Sequence, residues 1–210
     1  MRWSSMYTTC RPTSVSRVHA SKKPRSSLSV RCANRLVCSL AVKLSPFYSS
    51  IAHMAHALDE IGVDGLVLFN RFNRPDIDLE TLDVVTKPLI SRDGEGEALR
   101  LPLRWIAVLH GQVSADLAAT GGVHSARDVV KLLLVGANVT MLASALLVHG
   151  VERLHTIETD LLAWLEEHEY ESVAELRGSM SQRCVPDPAA FERAQYIRTV
   201  GTFALPSARA

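Results

Sequence analysis

Aromatic residues make up only 6% of this 210-residue chain, and its four cysteines follow neither a zinc-ligand pattern nor a paired disulfide framework. A disulfide scaffold is excluded on that count, and a reducing, cytoplasmic setting is the expectation. No P-loop, dinucleotide fingerprint or Ser-His-Asp arrangement occurs, which removes the commonest nucleotide-binding and hydrolase readings. No apolar run is long and uninterrupted. The best candidate, Val129–Val148, is broken by Lys131, Asn138, Thr140 and Ser144, so no membrane partner is expected. Acid is absent from residues 1–39, which hold eight Lys/Arg. The rest carries fifteen basic and twenty-two acidic side chains, so a head of net +8 precedes a body of net −7.

What is present is a globular composition, 47% hydrophobic and 21% charged, long enough for one domain with a sizeable core. Residues 1–39 form a basic, Arg/Ser-rich head without apolar periodicity, expected to be disordered. Its composition is also that of an organellar import segment, but it lacks the amphipathic stripe such a segment needs. It carries no interleaved aromatics to favour nucleic acid, so no nucleic-acid partner is expected.

Order is expected from Leu40. Leu40–Leu44 reads as a strand, and Ser45-Pro46 as the cap and first residue of a helix. Ile51, Met54, Ala55, Leu58 and Ile61 continue that helix to Gly62. Gly65–Asn70 is a near-continuous apolar run typical of a parallel strand covered on both faces. Residues 71–100 form a long polar excursion of the kind that often borders an active site. Pro102 is expected to open the next helix, followed by strand, helix and strand up to Leu142. A longer helix after Gly150, a short one near Val173–Arg177 and a last one from Asp187-Pro188 through Phe191, Ala194, Gln195 and Ile197 complete the chain. The alternation predicts an α/β fold with a parallel sheet.

Two strand–turn–helix units stand out. Leu117-Ala-Ala-Thr-Gly-Gly-Val-His124 runs into a helix with Ser125 as cap and Asp128 three residues on, and Val139-Thr-Met-Leu-Ala-Ser-Ala145 repeats the plan. Small-residue turns ahead of helix N-termini aim backbone N–H groups at one spot, which suits a phosphate. Either turn alone is explained by ordinary strand–helix packing; the pair puts the two explanations on a par. Lys43 sits in an apolar strand, either reaching a ligand or snorkelling to the rim. Lys43, Asn70, Thr120 and Ser144 end four successive strands, and the convergence of four polar residues on one rim carries more weight than any single member. His53 and His56, three apart on a helix, lack a spaced third ligand, so no metal is expected. His149 and His155 are expected at the surface. Cys184 has no evident base beside it and reads as inert.

From Leu40 to Tyr196 the chain resembles the C-terminal half of the dihydroorotate dehydrogenase-like flavoproteins. The resemblance rests on Ala41-Val-Lys-Leu-Ser-Pro46, Asp64-Gly-Leu-Val-Leu-Phe-Asn-Arg71, Ala119-Thr-Gly-Gly-Val123, Met141-Leu-Ala-Ser-Ala-Leu146, Glu169-Tyr-Glu-Ser-Val173 and Arg177-Gly-Ser-Met-Ser-Gln182. It implies strands five to eight of an FMN-binding (β/α)8 TIM barrel over residues 40–200, with 201–210 as a flexible tail. It further implies that Lys43 contacts the flavin ring and that Gly121, Gly122, Ala143 and Ser144 hold the FMN phosphate. Asn70 would face a small-molecule, dihydroorotate-like substrate. The implied reaction is hydride transfer to flavin, dihydroorotate giving orotate, in pyrimidine biosynthesis. The family's first four strands and base-bearing loop have no counterpart in the head, so no catalytic residue is assigned and the chain is expected to be a fragment inactive alone. Open sheet edges imply a homo-oligomer or dependence on a missing N-terminal half. The alternative is a non-catalytic half-barrel module that binds a phosphorylated ligand or assembles with itself.

Overall fold

The computed structural model describes residues 39–70, 75–85, 90–91 and 97–191. The basic head, apart from Ser39, and the tail beyond Phe191 lie outside them. Four short strands make one wholly parallel sheet: β1 (Ala41–Leu44), β2 (Gly65–Leu68), β5 (Asp116–Thr120) and β6 (Val139–Met141), neighbours in that order. The register pairs Lys43 with Val67, Val67 with Ala118, and Ala118 with Val139. Between β2 and β5 a separate antiparallel pair, β3 (Asp76–Asp78) and β4 (Asp83–Val85), stands off the main sheet.

Helices α1 (Ile51–Glu60), α2 (Glu97–Leu109) and α3 (Ala126–Leu134) link successive strands. Strand residues alternate faces, and burial follows that period. Val42, Leu44, Leu66, Leu68, Leu117 and Ala119 are at most 3% exposed and share a core with Ile51, Ala55, Leu58, Ile106, Leu132 and Leu133 from the helices. The alternate residues Ala41, Lys43, Val67, Ala118 and Thr120 are only partly covered. The sheet thus has one face finished by the chain's own helices and one, the bare face, that the described residues cover only in part.

Three expectations are corrected. The first helix begins at Ile51, with Ser50 as its cap accepting from the His53 amide, and not at Pro46. The Ser45 hydroxyl instead accepts from the Phe47 amide at 3.1 Å, closing a local turn that competes with helix initiation. The second helix starts at Glu97 and carries Pro102 inside it. This early position limits the damage, because proline removes only the bond to Ala98 while Leu99 and Ile106, both buried, keep the helix anchored on the core. The excursion contains the β3–β4 hairpin, whose mostly exposed residues give no apolar alternation to read.

Beyond β6 come a short helix α4 (Ser144–His149), a long α5 (Glu152–Glu167) and one turn, α6 (Val173–Leu176). Where the last helix is expected to begin, Pro188–Phe191 forms a 3-10 turn; Ala194, Gln195 and Ile197 lie outside the described residues. The segment after α6 is tied back by Gly178 N–H to Leu133 O (3.0 Å), Met180 N–H to Leu134 O (2.8 Å) and Gln182 N–H to Ala107 O (3.0 Å). The His110 ring fills the space where a Cβ would stand on both Gly136 and Gly178, so it is clasped between the end of α3 and this returning segment.

Candidate functional site

Because all four strands are parallel, their C-terminal ends share one rim, the end where such sheets bind ligands. Lys43 lies next to last in β1 on the bare face, half-buried, with no ion-pair partner among the described residues. Asn70 follows β2, and its amide donates to Leu44 O at 2.7 Å, drawing the ends of β1 and β2 together. Thr120 ends β5 and Ser144 opens α4 just past β6. The four rim residues expected from the sequence are therefore brought to one end of one sheet.

The two glycines between β5 and α3 turn out to have different reasons. A Cβ on Gly122 would stand 2.7 Å from the Leu99 amide nitrogen, so its bareness lets the first turn of α2 sit against this loop. Gly121, at φ +104°, would place a Cβ in ordinary contact with the Ala98 carbonyl, at 3.7 Å, with no clash among the described residues. Its backbone conformation demands glycine while its surroundings do not.

Three amides at the start of the helix behind that turn are taken up within the protein. The Ser125 hydroxyl accepts from the Asp128 amide, and the Asp128 carboxylate accepts from the His124 and Ser125 amides, both at 3.1 Å. The capping box is formed as expected, and its own carboxylate already occupies the helix start. Ala143, by contrast, makes no side-chain cap bond to α4.

One constellation went unread in the sequence. His124 is 2% exposed, and its Nε2 lies 2.9 Å from the hydroxyl of Ser91, itself 2% exposed. The Ser91 amide donates to Ser144 Oγ at 3.3 Å. Arg153 donates twice, at 2.9 and 3.2 Å, to the His124 carbonyl. His124 Nδ1 has no hydrogen-bond partner among the described residues and is shut off from solvent. Ser91 and His124 are 33 residues apart, and no local pattern links them.

The opposite rim is stitched. Asp59, in the last turn of α1, accepts from the Ser114 and Ala115 amides at 2.8–3.0 Å. Asp64 accepts from the Leu40 amide at 2.6 Å. The Asn138 side chain accepts from the Leu117 amide and donates to Asp116 at 2.6 Å. His53 on α1 and His155 on α5 are exposed, the latter 3.7 Å from Glu158, and Cys184 is an exposed free thiol.

The donor set at the C-terminal rim suits an anion. It comprises an ammonium without an ion-pair partner among the described residues, two hydroxyls and a glycine turn, and the Asp128 carboxylate that follows the turn is already bonded. The sequence model of a family described as "Dihydroorotate dehydrogenase" matches residues 13–165, taking in every rim residue. The chain belongs to the dihydroorotate dehydrogenase family. The match begins within the basic head, at residue 13. Members of this family are FMN flavoproteins and oxidoreductases of pyrimidine biosynthesis.

Curated relatives agree. "Dihydroorotate dehydrogenase B (NAD(+)), catalytic subunit" of Shouchella clausii is 30% identical over 141 residues, covering 65% of this chain and 45% of the relative. The corresponding subunit of Oceanobacillus iheyensis is 35% identical over 108 residues, covering 50% of this chain and 34% of the relative. "Dihydroorotate dehydrogenase A (fumarate)" of Lactobacillus helveticus is 29% identical over 143 residues, covering 66% and 45%. The matched region is thus less than half the length of these relatives. Among the described residues no helix is long and apolar enough to cross a membrane.

Proposed function

We propose that this dihydroorotate dehydrogenase family chain supplies strands five to eight of a (β/α)8 barrel and holds FMN at its C-terminal rim. The family and the order of the parallel strands support this reading, in which β1, β2, β5 and β6 would be the fifth to eighth. The observation that carries the reading is the gathering of Lys43, Gly121 and Ser144 at one end of one parallel sheet. Lys43, on the bare face, would meet the flavin ring, where a fixed cation stabilises the negative charge that develops on reduction. Gly121, Gly122, Ala143 and Ser144 would surround the phosphate. Asn70 would face a dihydroorotate-like substrate. When bound, FMN supplies a hydride acceptor for oxidation of a dihydropyrimidine to orotate. No residue of this chain is assigned as the base.

The test is direct. The purified, folded chain should be yellow, or take up added FMN with quenching of its fluorescence. A folded, colourless protein that leaves added FMN fluorescence unchanged at micromolar concentration would rule the reading out.

A second reading, self-assembly of the half-barrel, is favoured by apolar exposure along one side. Val139 and Met141 on β6 are 51% and 41% exposed, while Leu147, Val151 and Leu162 on or beside α4 and α5 exceed 60%. Parallel sheets are ordinarily covered on both faces, and contiguous exposed apolar surface marks an interface. A homodimer would cover both. Light scattering at micromolar concentration should give a mass of two chains or more, and Val139→Lys should lower it; a stable wild-type monomer would exclude self-assembly.

A further inference from the structure

We infer that Ser91 is a positioning residue that joins the two ligand-facing turns and aims the Ser144 hydroxyl. The inference rests on the proposal that these turns hold a phosphate, and it adds residues outside the set assigned to it.

The chain dips sharply at this point: Ile90 is 43% exposed and Ser91 2%. A serine gains little from apolar burial, so polar bonding must account for the descent. Ser91 uses its hydroxyl on His124, in the loop after β5, and its amide on Ser144, just after β6. One residue of the excursion therefore ties together the two turns named above.

The bond to Ser144 has a directional consequence. A serine hydroxyl has one proton to give and two lone pairs to receive. With the Ser91 amide on a lone pair, the Ser144 proton remains available, and a donor is what a phosphate oxygen requires. His124 is in turn held by its own backbone: its amide is bonded to Asp128 and its carbonyl to Arg153. Ser91 is thus fastened to a ring whose base is fixed at two points. The stranded Nδ1 is the cost, since a buried polar atom without a partner is destabilising. A side chain kept there for packing alone would not need that atom.

Flavin titration of the full chain separates positioning from simple support. Ser91→Ala should weaken FMN binding about tenfold and leave riboflavin, which lacks the phosphate, unchanged. His124→Ala should do the same, whereas His124→Gln, whose amide nitrogen reaches toward the hydroxyl, should keep the wild-type preference for FMN. Equal loss for both flavins, or no loss for either, overturns the inference. A second measurement uses no flavin. Amide exchange in Ser91→Ala should accelerate together over residues 120–124 and 143–147, and not at the Asp59-bonded amides of Ser114 and Ala115. Unchanged exchange at both turns overturns the inference whether or not FMN binds. Coupled acceleration in a protein whose wild type binds no flavin retains the inference and removes the FMN reading alone.

Discussion

The two ends of the central sheet are built from opposite chemistry. At the N-terminal rim Asp59, Asp64, Asp116 and Asn138 all spend their side chains on bonds within the protein, most of them to backbone amides that start or precede strands. At the C-terminal rim Lys43 is left without an ion-pair partner among the described residues, and a Cβ on Gly121 would meet no closer neighbour than the Ala98 carbonyl at 3.7 Å. Strand termini expose backbone groups that must be satisfied somewhere. The N-terminal rim closes them internally and becomes a foundation. The other leaves Lys43 uncommitted among the described residues, as the proposed ligand site requires, and such a division between a structural and a ligand-binding rim is general among parallel α/β barrels.

Breaking the stitched rim should have the largest effect. Asp59→Ala removes charge-assisted bonds to two amides, each worth about 1.5–3 kcal/mol when buried and less at this partly exposed rim, so urea denaturation should show a loss of about 2 kcal/mol. FMN affinity, measured where the protein is still folded, should be unaltered. Lys43→Ala does the reverse: FMN affinity by fluorescence titration should fall at least tenfold, about 1.4 kcal/mol, with little change in the urea midpoint. If Lys43→Ala destabilised the protein as much as Asp59→Ala while sparing flavin, the two rims would not differ in kind.

The smallest effect tests a residue that sits near the ligand-facing rim yet serves the fold. Ser125→Ala removes the cap of α3 and should cost about 1 kcal/mol in stability with no selective loss of FMN over riboflavin. A phosphate-selective loss would move the helix start from foundation to site.

Much of this plan was legible in the residues. The apolar runs around Val42, Leu66 and Leu117 predict parallel strands, and Ser125 with Asp128 predicts the capping box that forms. Misreadings came where two local signals compete. Ser45-Pro46 and Ser50 are both credible caps, and only packing of Ile51 and Ala55 against the sheet decides for the second. Pro102 looks like a helix start because proline is favoured there, but Leu99 belongs to the same buried stripe and carries the helix back to Glu97. Gly122 has a packing reason that its sequence does not announce, since the backbone that claims its vacant side lies more than twenty residues earlier, at Leu99. The Ser91–His124 bond is likewise a product of tertiary folding, with no periodicity or spacing to announce it.

The ring of His110 between Gly136 and Gly178 has a consequence for how this sequence can drift. The three positions occupy one volume: an alanine at either glycine would need the imidazole to leave, and a smaller residue at 110 would leave a void between two backbones. They act as a single heritable character spread over three separate codons. In related chains they should change in concert, and a lone replacement at any of them should survive only alongside a compensating one.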